Sequence, residues 1–130
     1  MKPVYKLILT GCLAITLCDV LGSILSKQLN FNYAYLFFVP FFIYTIWGIW
    51  GTRAINLKNG VLIAACTGFF DSTIGWEISM LLHANTGNIK NDPTVQIWII
   101  TIIFLTGIAA LCGLIGGVIA SAFKKRMVNS

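Results

Sequence analysis

Charge is the scarcest commodity in this chain. Of 130 residues, nine are Lys or Arg, four are Asp or Glu and one is His, so 10% are charged while 58% are hydrophobic. A soluble domain carries about 25% charged residues, and a small globule has a large surface to cover with them. A water-facing surface is therefore excluded for most of the chain, and lipid is the solvent that the composition calls for. The net charge of +5 does not point to nucleic acid, because the basic residues stand singly or in one short tail, "KKR", and form no stripe. A lone histidine, His83, rules out bis-histidine haem and multi-histidine zinc sites. The four cysteines (Cys12, Cys18, Cys66 and Cys112) include no C-x-x-C and lie within apolar runs, where cysteine acts as a small apolar residue. With no Ser-His-Asp set, metal-ligand cluster or phosphate-binding loop in the sequence, neither an enzyme nor a cofactor is expected.

What the chain has instead is apolar length. Four runs, about 7–26, 31–51, 61–82 and 95–123, each reach the roughly 20 residues that a helix needs to cross ~30 Å of hydrocarbon. The fourth exceeds it and is expected to tilt or project. The linkers "KQLN", "TRAINLKNG" and "HANTGNIKNDPT" are short and polar. These features predict an all-α, single-domain protein, a four-transmembrane-helix up-down bundle spanning residues 1–130. Lys2, Lys6, Arg53, Lys58, Lys124, Lys125 and Arg126 fall on one side of it, and Lys27 and Lys90 on the other. The positive-inside rule then places both termini in the cytoplasm, as a multi-pass protein of the cytoplasmic (inner) membrane. "LTGC", ending at Cys12, resembles a lipoprotein cleavage box. Only three apolar residues precede it, too few for a signal sequence, so the first run is expected to remain as a span.

Small residues recur at every fourth position: Ala14, Cys18, Gly22 and Ser26 in the first span, Gly60, Ala64, Gly68 and Ser72 in the third, Ala109, Gly113, Gly117 and Ser121 in the fourth. Such faces let helix backbones approach closely in lipid, and Gly22, Gly68, Gly75, Gly113 and Gly117 are the expected packing glycines. The faces serve either packing within one bundle or a homodimer through the fourth helix; a larger membrane complex is a further partner class. The second span, "FNYAYLFFVPFFIYTIWGIW", is rich in aromatics. Tyr33 and Tyr35 are expected at one membrane interface and Trp47 and Trp50 at the other, with Pro40 kinking the helix near its centre. A faint repeat at a spacing of 53 matches Gly22 to Gly75, Ser26 to Ser79, Leu29 to Leu82 and Asn32 to Asn85, while Asp19 falls one position off Asp71.

Three of the four acids lie inside spans: Asp19, Asp71 and Glu77. On insertion scales, each costs about 2.5 to 3.5 kcal/mol near a helix centre, so they are expected to face the bundle interior or water. At 100° per residue, Asp71 shares a face with Thr67, Gly68 and Gly75, and Asp19 shares one with Cys12, Thr16, Gly22, Ser23 and Ser26. Both sit near mid-depth and are expected to face each other. With no Lys or Arg at that depth, the pair is expected to hold a proton at neutral pH. The two acids are candidate proton- or cation-binding residues, or alternatively protonated groups that join helices. Glu77 projects elsewhere and is a candidate structural ion pair with Lys27.

"CDVLGSILSK" resembles the opening helix of the small multidrug resistance transporters. That likeness implies a proton- and cation-exchanging role for Asp19, although the family acid is glutamate and Asp71 has no counterpart there. The stretch from "FNYAYL" through "DSTIGWEIS" is similar to small four-helix bacterial membrane proteins with a D-x-T-x-G-W segment in the third helix, and implies architecture only. The leading expectation is a non-enzymatic membrane component. The alternative is a small proton- or cation-coupled transporter using Asp19 and Asp71. A holin-like pore is a third, suggested only by size and the basic tail.

Overall fold

The computed structural model describes residues 3–86 and 94–128. Lys2 and Lys90, two of the basic residues counted for orientation, lie outside them, as does Asp92. Four helices are long and apolar enough to cross a membrane. Among the described residues these spans are Pro3–Gln28, which is helix α1; Tyr33–Ala54, which ends in helix α2, Val39–Ala54; Leu57–Leu81, which is α3; and Val95–Lys125, within helix α4, Val95–Val128. The order α1 to α4 runs up and down. Trp47 of α2 bonds back to Leu7 near the start of α1, Gly68 of α3 meets Ala109, and Gly117 meets Leu57 at the start of α3. The α2–α3 pair is flanked by α4 on one side and α1 on the other.

Two expectations about the second span need correction. The chain does not enter it as a continuous helix: a single 3₁₀ turn, Tyr33–Leu36, precedes α2, capped by the Asn32 side chain accepting from the Ala34 amide. Pro40 consequently lies in the first turn of α2, not at its centre. There its missing N–H is one that the helix leaves unpaired anyway, so it starts the helix instead of kinking it. The aromatic belt is also only half as expected. Tyr35 and Trp50 are exposed, but Trp47 is buried and donates to the Leu7 carbonyl at 2.9 Å, and the Tyr33 hydroxyl turns inward.

The packing core is small and built from small residues. Ile15, Tyr44, Ala64 and Ala109 form its buried cluster. On α1, Gly11, Ile15, Asp19, Gly22, Ser23 and Ser26 face inward, while Leu9, Leu13, Leu17 and Leu21 face outward. Each row follows the helix period. The inverted polarity, with hydroxyls inside and leucines outside, is that of a helix in lipid. Gly60, Ala64, Gly68 and Ser72 are all buried on α3. Helices α2 and α4 touch backbone to backbone: a Cβ at Gly48 would lie 2.6 Å from the Gly113 Cα. Gly113 also faces Ala64, and Gly117 faces Thr52 and Leu57. The small residues of α4 are thus used inside one chain. Gly22 lies against Tyr33 and Leu36.

Helix α3 is not uniform. Its α-helical segments, Leu57–Phe70 and Trp76–Leu81, are joined by a π-helical turn, Asp71–Gly75. The Trp76 amide reaches back to the Asp71 carbonyl, and the Ser72 and Thr73 hydroxyls both donate to the Phe69 carbonyl, at 3.1 and 2.7 Å. Such back-bonding supplies partners where the helical ladder is interrupted.

The π turn also explains the imperfect repeat. Helices α1 and α3 end in the same way. Asn30 and His83 adopt left-handed backbone with φ of 51° and 52°. The Phe31 amide bonds the Ser26 carbonyl, and the Ala84 amide bonds the Ser79 carbonyl. Both are the six-residue closure of a Schellman cap, and their positions differ by the repeat spacing. A π turn holds one residue more than the α geometry around it. Going from Asp71 to Gly75 therefore takes one residue more than going from Asp19 to Gly22, which is the slip seen in the sequence.

Candidate functional site

Asp19 is carried on the buried row of α1, one turn beyond Ile15, and is 4% exposed. Its Oδ1 accepts from the Tyr33 hydroxyl at 2.9 Å, and that hydroxyl accepts in turn from Ser79 Oγ at 3.2 Å. Tyr33 is placed by the 3₁₀ turn. The Tyr33 amide donates to the Asn85 carbonyl at 2.7 Å, and the Asn85 amide donates to Ser26 Oγ at 3.1 Å. The loop after α3 is thereby tied to the end of α1. Asp71 opens the π turn and accepts from the hydroxyl of Tyr44, which is fully buried on α2.

The two carboxylates meet at Gly75. A Cβ on that residue would contact Asp19 Oδ2 and lie 2.7 Å from Asp71 Oδ1. Both oxygens are within 2.7 Å of one point, and so less than twice that from each other. Asp19 Oδ2 is buried and has no hydrogen-bond partner among the described residues. Among the described residues no Lys, Arg or His forms an ion pair with either acid. Even at a separation of about 5 Å, two bare carboxylates repel by about 3 kcal/mol at an effective dielectric of about 20. A shared proton, or a small cation accepted by both, removes that repulsion. Among the described residues no group of three or more His, Cys, Asp or Glu side chains is assembled for a metal ion.

The other expected residues are placed differently. Lys27 and Glu77 are both exposed and, among the described residues, are not joined in an ion pair. Gly75 is less a helix contact than the floor of the carboxylate pair, whereas Gly68 lies against Ala109 and the Leu105 carbonyl. Three participants were missed from sequence: Tyr33, Tyr44 and Ser79. The signal for them was available, since a phenol inside an apolar span needs a partner for its hydroxyl.

Fold and site together define a small polytopic membrane protein with, among the described residues, four apolar spans and a pair of carboxylates, Asp19 buried and Asp71 half-buried, between the first and third. Compared with family models, curated proteins and solved structures, the chain matches none. The likenesses in "CDVLGSILSK" and D-x-T-x-G-W therefore gain no family behind them, and the four-helix membrane architecture stands on its own.

Proposed function

We propose that this protein is a non-enzymatic membrane component whose working part is the Asp19–Asp71 pair, acting as a small proton- or cation-coupled transporter. One observation carries the reading: Asp19 Oδ2, buried and without a hydrogen-bond partner among the described residues, faces Asp71 Oδ1 over Gly75. Intramembrane acids that face a bundle interior mark proton or ion paths. Polar contacts lead from the pair toward one end, through Tyr33 and Ser79 to the loop containing Asn85. Toward the other end lie Ile15, Thr67 and Trp47, all buried. The basic residues Lys6, Arg53, Lys58, Lys124 and Lys125 belong to that second end, which the positive-inside rule assigns to the cytoplasm together with both termini. A fluorescent protein fused to the C-terminus should then fluoresce in cells.

The test is proton and monovalent-cation flux in proteoliposomes, with wild type compared against Asp19→Asn and Asp71→Asn. Flux that either substitution removes, with melting temperature preserved, supports the reading. Absence of flux under imposed gradients, with both variants less stable, supports a second one. In that case Asp19 and Asp71 act as clasps, and the observation favouring it is that their bonds to Tyr33 and Tyr44 join α1 to the 3₁₀ turn and α3 to α2.

A further inference from the structure

At the end of the bundle opposite the Schellman caps, a cavity of about 440 Å³ opens where α2 ends, α3 begins and α4 approaches its end. Arg53, Lys124 and Lys125 line it together with Thr52, Asn56 and Ser121, whose hydroxyl donates to the Gly117 carbonyl. None of the four acidic residues is among the lining residues, so three cations share one concavity with no counter-charge from the described residues. Thr52 Oγ1, between Gly60 and Gly117 at the inner wall, is buried and has no hydrogen-bond partner among the described residues. Arg53, Lys124 and Lys125 are themselves exposed, so their charges are available to a ligand.

The geometry points to a binding site for the headgroup of an anionic phospholipid. The phosphate would be held by Arg53, Lys124 and Lys125, with the Asn56 side-chain amide beside it. Basic pockets between membrane helices suit phosphate-bearing headgroups, and the planar guanidinium of Arg53 matches a phosphate better than an ammonium does. Lipid is favoured over free phosphate by the position of the cavity. It lies at the ends of three apolar spans, with Leu57 partly exposed at its edge and Leu114 and Val118 of α4 facing outward. A headgroup seated there leaves its acyl chains against side chains already turned to lipid.

The experiment is thermal melting of the full chain in neutral detergent, titrated separately with phosphatidylglycerol, phosphatidylcholine and inorganic phosphate. Phosphatidylglycerol is expected to raise the melting temperature by several degrees, and the other two to leave it nearly unchanged. Arg53→Gln, Lys124→Gln and Lys125→Gln should each raise the lipid concentration giving half the shift by roughly fivefold, the effect of losing one basic group near an anionic headgroup. Lys27→Gln, at the other end of the bundle, should not. The lysine variants alter exposed side chains only, so they keep the test valid if Arg53→Gln fails to fold. Equal shifts with phosphatidylcholine, equal shifts with inorganic phosphate, or lysine variants that titrate like wild type would each overturn the assignment.

Discussion

A methyl group added at Gly75 would land between two carboxylates. Its Cβ would contact Asp19 Oδ2 and crowd Asp71 Oδ1, so Gly75→Ala is expected to spread the pair, abolish any flux that depends on it and cost about 1–3 kcal/mol of stability. Melting in detergent and the proteoliposome assay read the two effects separately, and an unchanged variant in both would remove Gly75 from the site. Tyr44→Phe takes away the phenol that donates to Asp71. A buried acceptor deprived of its donor costs about 1–3 kcal/mol, whereas Tyr35→Phe, altering an exposed residue, should stay within about 0.5 kcal/mol. Melting curves of the two variants should therefore separate, and coincident curves would mean that the Tyr44–Asp71 bond carries no stability.

Among the elements, α3 invites the most specific test. Deleting Thr73 from the π turn should leave a continuous α-helix in which both ends keep their contacts, because the turn holds one residue more than α geometry needs. Deleting Ala65, inside the α-helical segment, should instead rotate everything beyond it by about 100° and abolish the folded, monodisperse protein. Equal loss from both deletions would count against the one-residue insertion. Pro40→Ala should change the melting temperature little, since the proline occupies the first turn of α2; a central proline would bring a gain of about 3 kcal/mol on removal.

These two elements also mark what the sequence left hidden. The four spans were legible because lipid demands long apolar runs, and the Asp19–Asp71 pairing because both acids sit on small, polar helix faces. A projection at a constant 3.6-residue period cannot show a π turn, whose cause is local competition by the Ser72 and Thr73 hydroxyls for the Phe69 carbonyl. The 3₁₀ turn at Tyr33–Leu36 shifted the start of α2, and with it the meaning of Pro40 and the direction of the Tyr33 hydroxyl.

For the molecule as a whole, the small residues of α4 decide what holds it together. Gly48→Ala would drive a Cβ into the Gly113 backbone, while a Cβ at Gly107 would meet nothing within 4 Å. The first substitution is expected to destabilise the bundle by about 1–3 kcal/mol. The second should be neutral or stabilising by up to about 1 kcal/mol, the helix-propensity difference between alanine and glycine. Gly117→Leu should likewise unfold single chains and not merely separate a dimer, because Gly117 packs against Thr52 and Leu57 of the same chain. Melting measured across a range of protein concentrations distinguishes these outcomes: a monomeric bundle melts at a concentration-independent temperature.

The caps of α1 and α3 match, and the π turn sets the two helices apart at the point where their acids meet. Two identical acids on identical helices would form a degenerate pair, with a positive charge between them having no preferred owner. Here one acid is bonded to a tyrosine from a flanking turn and reaches the bundle end through Ser79, while the other is bonded to a tyrosine sealed in the core. The degeneracy is lifted by the two different tyrosines, so that a proton shared by the pair would not be shared evenly.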